Sequence, residues 1–132
     1  MTSTGTWEPN QDQITPDSDR VRQWAATTWL DANQLTSELD DLDRASLQRW
    51  IGLSAERWND IFSKLGAVEL VNLMRLGTLA EQHLPGCEAG ERSVVIHAFH
   101  WHKQHHGQPD RELVRWIKSH TDNRFLPYGP VL

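Results

Sequence analysis

Residues 97–106, His-Ala-Phe-His-Trp-His-Lys-Gln-His-His, put five imidazoles into ten positions. Imidazole nitrogen suits Zn²⁺, Ni²⁺ and Cu²⁺. On a helix, residues four apart lie on one face. His102 and His106 have that spacing and can converge on one ion, while His97 and His100 stand three apart. These four are the candidate metal ligands, and zinc is the one cofactor the stretch would imply. A structural zinc site takes four protein ligands and a catalytic one about three plus water. One helix face offers a pair, so a third ligand would have to come from His83, His120, Cys87 or a carboxylate. The HExxH pattern of metalloproteases is absent, because Lys103 follows His102. The competing reading is plain: some of these rings are half-buried and the rest are exposed. Imidazoles titrate near pH 6.5, so the stretch could also act as a pH-responsive surface.

Other catalytic chemistry has little to stand on. Cys87 is the single cysteine, which excludes an intrachain disulfide. It falls in the connection 85–92 and is expected to be exposed or half-exposed there. As a nucleophile it would need a base within reach, and His83 or His97 are the candidates. There is no phosphate-binding loop, dinucleotide fingerprint, GxSxG or CxxC. An enzyme would therefore need a site assembled from distant residues such as His97, His100 and Cys87.

The formal net charge is −5, which argues against a general nucleic-acid binder. The charge is divided unevenly. Residues 1–60 carry eleven acids and five bases, and residues 61–132 carry seven acids and eight bases. Six of the seven histidines follow residue 90. The first half thus reads as an acidic surface and the second as neutral to weakly basic. Such asymmetry can orient a partner. Glu38, Asp40, Asp41 and Asp43 lack the ordered oxygen spacing and central Gly of a calcium loop. The helix pair around Gly52 has the short joint of a helix-turn-helix, but Glu56 and Asp60 lie on its second helix beside that acidic cluster. Phosphate would be repelled.

The elements that must position these residues follow from periodicity. The most apolar helical stretch is 67–84, with Val68, Leu70, Val71, Leu73, Met74, Leu76, Leu79 and Ala80. That is too many for one stripe, so it reads as a central helix covered on several sides. Its exceptions, Glu69, Asn72, Arg75 and Glu81, mark the expected solvent stripe. Gly66 and Pro85-Gly86 bound it. Val21, Trp24, Ala25, Thr28 and Trp29 form one helical face, predicting a helix from near Asp17 to near Ala32. Asp43 is the expected cap of a helix over Leu47, Trp50 and Ile51, with Leu42 and Leu47 as its hydrophobic staple. Trp58, Ile61, Phe62 and Leu65 make the next stripe. Further helices are expected over 91–106 and from Pro109 to about His120.

The expected fold is all-α, a compact bundle of five or six helices forming a single domain over 17–132. Residues 1–16 read as a disordered tail. After residue 120, Pro127 and Pro130 forbid a helix, yet Phe125, Leu126 and Tyr128 are apolar. That tail is expected to lie extended as a strap. No apolar run is long enough to span a membrane and no secretory signal is present, so a cytoplasmic setting is the default. The function these features point to is a small cytoplasmic, non-enzymatic interaction or regulatory protein. It would bind another protein through a Trp-rich or acidic surface, with Trp7, Phe125 and Tyr128 as candidate partner-binding residues. The alternatives are a Zn, Ni or Cu protein using the histidine-rich helix, and an enzyme with a distributed site. Neither nucleic acid nor membrane is an expected partner.

Overall fold

A computed structural model of the chain describes residues 14–130. They form seven α-helices and no strand: α1 Ser18–Ala25, α2 Gln34–Ser37, α3 Asp41–Trp50, α4 Ala55–Phe62, α5 Ala67–His83, α6 Val94–His106 and α7 Arg111–His120. A 3-10 turn, Gly90–Arg92, precedes α6. The all-α reading holds. The helix number exceeds the expected five or six, since α2 is a single four-residue turn. No helix among the described residues is long and apolar enough to cross a membrane. Trp7 and most of the expected tail lie outside the described residues, while Ile14 packs against the core and Pro16 is buried.

Local side chains start most helices. The Asp17 carboxylate accepts from the Arg20 N–H at 3.2 Å, Ser93 Oγ accepts from Val95, and Asp110 accepts from Glu112. α3 begins earlier than the sequence suggested. Its cap is Asp40, in a reciprocal box with Asp43: each carboxylate accepts the other's backbone N–H, at 2.7 and 3.1 Å. That box places Leu42 inside the first turn, where it is exposed rather than stapled to Leu47.

α1 stops at Ala25 instead of continuing toward Ala32, and the physical reason is Trp29. Its indole N–H turns back to donate to the Trp24 carbonyl at 2.8 Å, and the Thr27 N–H donates to the same oxygen. Asn72 donates its side-chain N–H to the next carbonyl, that of Ala25, at 2.8 Å. Carbonyls that a helix end leaves unpaired are thus satisfied from outside. α3 ends the same way. The Trp50 carbonyl accepts from Leu53 N–H and from the Trp58 indole at 3.0 Å. The Ile51 carbonyl accepts from Val94 N–H at 2.8 Å, which ties α3 to the start of α6.

α5 is the centre. It packs on α1, α6 and α7, and α6 packs in turn on α4. The α5–α6 crossing is close because Gly77 has no side chain. A Cβ there would lie 2.6 Å from Val95 Cγ2 and 3.3 Å from Val94 Cγ1. Both valines are buried and β-branched, so neither has a spare rotamer to move into. Gly77→Val is expected to cost about 1–3 kcal/mol through overpacking, despite the gain in helix propensity. Urea unfolding of the variant beside Gly52→Ala measures it, since a Cβ at Gly52 meets only Ala89 Cβ at 3.7 Å. Equal midpoints for the two variants would mean that the helices are farther apart than described.

Residues 121–130 are not helical. Leu126 and Pro127 are buried. Asn123 donates to the Gly90 carbonyl at 3.0 Å, and Gln82 exchanges hydrogen bonds with Asp122.

Candidate functional site

The histidines of α6 are turned to different sides of the helix. α6 presents Val94, Val95, Ile96, Ala98, Phe99 and His102 to the core. His102 is buried, and its Nδ1 pairs with the Gly107 carbonyl at 2.7 Å, closing the helix C-terminus. The His106 ring lies 5.6 Å from the His102 ring, centroid to centroid. His105 is exposed and stacks on Trp101 at 4.0 Å. His100 is exposed, and its Nε2 pairs with the Tyr128 carbonyl at 3.0 Å. His97 and His100 line one shallow groove with Trp101 and Asn59, away from the His102–His106 pair. The four candidate ligands therefore separate into two pairs. Among the described residues, no group of three or more His, Cys, Asp and Glu side chains is placed to hold a metal ion. Each pair falls short of the three or four ligands a zinc site uses.

Cys87 is fully buried, not exposed or half-exposed as its loop position suggested. The 85–92 connection folds inward and its thiol joins the core. Burial, with the nearby carboxylates Glu81 and Glu88, pushes the thiol up to about 12. A thiol held protonated in this way is a poor nucleophile.

His97 is half-buried. Burial lowers its pKa from the ordinary value, against the opposing pull of the Leu53 backbone carbonyl on a ring N–H, and the neighbouring His100 adds to the lowering. Its Nε2 is covered and has no hydrogen-bond partner. It also lines a second cavity of 420 Å³, with Leu53, Ala55, Arg57, Glu91 and Arg92 among its walls.

The second buried polar centre was misread at the sequence level. Glu81 and Asn72 were expected on the solvent stripe of α5, and both are 6 % exposed. Glu81 Oε1 accepts the Ala89 and Gly90 N–H groups at 2.7 and 3.2 Å, while Oε2 is buried without a partner. The carboxylate holds the 3-10 turn against α5. An acid near the end of an apolar helix was the available signal, but its spacing cannot separate a rim position from a clamp.

The candidate partner-binding residues fall differently again. Tyr128 is 43 % exposed, its ring beside Phe99 at 5.3 Å and under the Lys118 ammonium at 5.0 Å. Phe125 is half-buried against the core, and Trp7 lies outside the described residues. Trp24, Trp29, Trp50 and Trp58 are buried, and Trp101 and Trp116 are half-buried. Residues 30–43 were not singled out as a unit by sequence reasoning. They carry five acids and no base, and within them Leu30 and Leu42 are 54 % and 57 % exposed. In comparison with known proteins, no family model, no curated protein and no solved structure matches this chain.

Proposed function

We infer that the protein is a non-enzymatic interaction or regulatory protein, and that its acidic face over residues 30–43 binds another protein. The supporting observation is the exposure of Leu30 and Leu42 at the two ends of a segment that also exposes Asp31, Glu38, Asp40 and Asp41. One exposed leucine is ordinary on any surface. Two on a segment with five acids, of which Asp43 pairs with Arg20 and Asp41 with Arg44, offer apolar contact together with charge steering by the remaining carboxylates. The partner that fits is a basic amphipathic segment. The Trp-rich form of the interface is the weaker one, since four of the seven tryptophans are buried. In this reading residues 121–130 serve as a strap that carries Tyr128 on the outside as a secondary contact. The setting is cytoplasmic, where a lone free thiol such as Cys87 is stable.

The test uses the full chain as bait in native lysate at low and at about 0.5 M salt. Specific capture is expected at low salt and is lost at high salt, because exposed charges are screened beyond about a Debye length. The Leu30→Ser/Leu42→Ser double variant is expected to capture at least about tenfold less, while keeping its fold, since both side chains already face solvent. Equal capture by the double variant would remove the acidic face from the proposal. Loss of capture only on deleting residues 1–13 would move the anchor to Trp7.

A further inference from the structure

The cavity beside His97 has a composition that the interaction surface does not use. Its walls come from three elements: the α3–α4 joint with Leu53, the first turn of α4 with Ala55 and Arg57, and the 3-10 turn with Glu91 and Arg92, which α6 closes with His97. Among the described residues, the ion pairs are Arg20–Asp43, Arg44–Asp41 and Lys64–Asp60. Neither Arg57 nor Arg92 takes part in one, and neither guanidinium makes a hydrogen bond to another described residue. Two arginines from separate segments therefore line one cavity with no acceptor among the described residues. Glu91 is the one carboxylate there and is exposed, so the walls keep a net positive charge.

Ser54 caps α4 by position, but its side chain accepts no N–H. The Arg57 N–H of that turn is taken by the Ser54 carbonyl, and exposed Glu56 lies beside it, so the two guanidinium groups rather than the helix end carry the attraction. The volume, 420 Å³, is within the range of small-molecule sites. Leu53 and Ala55 supply apolar wall.

We propose that this cavity is a binding site for a small, doubly charged oxyanion, a phosphate ester or a dicarboxylate, clamped between Arg57 and Arg92. Guanidinium forks bind carboxylate and phosphate in a bidentate way, and two of them match a dianion better than a monoanion. Arg92 is exposed and can swing onto the ligand, while Arg57 is half-buried. Glu91 at the same opening disfavours more highly charged anions. The site stands apart from residues 30–43, so it is tested independently of the proposed interface.

The experiment is a two-dimensional amide NMR titration of the full chain at constant ionic strength. Inorganic phosphate, phenyl phosphate, succinate and chloride are the four arms. A saturable shift of the Ala55, Arg57, Arg92 and His97 amides is expected with at least one dianion and not with chloride. Saturation by the phosphates alone assigns the phosphate class, and saturation by succinate alone assigns the dicarboxylate class. Arg92→Gln and Arg57→Gln should each weaken binding by about tenfold or more, the size of one lost charge-assisted hydrogen bond. Lys64→Gln, which removes a cation of the same sign from α4's end, should leave it unchanged. Arg92→Gln keeps the proposal testable if Arg57→Gln disturbs α4. Shifts that fail to saturate with every dianion, or that persist in Arg92→Gln, or that centre on Arg111 and Arg115, which line a separate groove beside Tyr128, would overturn it.

Discussion

Trp58→Ala is expected to destabilise the fold by about 3–5 kcal/mol. A domain of this kind has a total stability of about 5–15 kcal/mol, so the variant would be marginal at physiological temperature. Trp58 is fully buried and stacks on Phe62, with ring centroids 5.7 Å apart and planes 15° from parallel. Two effects are lost together. The first is the packed indole, whose removal leaves a cavity that neighbouring rings cannot refill. The second is the N–H donated to the Trp50 carbonyl, which joins the end of α3 to α4. Trp58→Phe separates them. It keeps most of the ring and removes only the donor, and the Trp50 carbonyl still has the Leu53 N–H. About 1 kcal/mol is expected for that change. Chemical denaturation of both variants measures the difference. If Phe costs as much as Ala, the hydrogen bond dominates and the packing argument is wrong.

The second large effect centres on Glu81. Glu81→Ala strands the Ala89 and Gly90 N–H groups, and is expected to cost about 2–4 kcal/mol. Glu81→Gln keeps an acceptor for them and removes the ionisable group, so it should retain most of the stability. The pH dependence has a definite sign. Burial raises the Glu81 pKa above its ordinary value of 4.5, against the hydrogen bonds from Gly90 and Ala89. Below pH 4.5 the group is protonated in both folded and unfolded chains and imposes no penalty. As pH rises through the raised folded value, the folded state must ionise a buried carboxylate, and that stability is lost. The stability difference between Glu81→Gln and the native chain should therefore grow in favour of Gln from about pH 4.5 toward neutrality. His97, whose pKa is lowered, works in the opposite direction below 6.5. It is present in both proteins and cancels in the difference. A difference that is flat with pH would mean that Glu81 reaches solvent.

The same two residues mark how far the chain could be read without its fold. The apolar stripes of α1, α3 and α4 were legible, and Trp24, Trp50, Trp58, Ile61 and Phe62 all lie in the core. So was α5, whose limits at Gly66 and Pro85 match the observed Ala67–His83. Helix ends set by distant partners were not. α1 ends where Trp29 and Asn72 take its carbonyls, and α3 starts where Asp40 and Asp43 pair.

Candidate chemistry was less legible than architecture. The histidines drew attention because five of them fall in ten residues, yet α6 turns them onto different faces. Arg57 and Arg92 are thirty-five positions apart and carry no local motif. Only the return of α6 and the 3-10 turn across the start of α4 puts them on one cavity.

By itself the sequence determined which residues share a helix face, because a rotation of about 100° per residue is a local property of the backbone. The tertiary structure decided which faces are covered, and by what. Val68 sits at the apolar start of α5 and is 74 % exposed, because nothing crosses there. Glu81, near its other end, is buried because the 85–92 connection folds back over it and offers two N–H groups. Cys87 is carried inside by the same connection. Burial depends on elements far away in the chain, and no local pattern records where they cross.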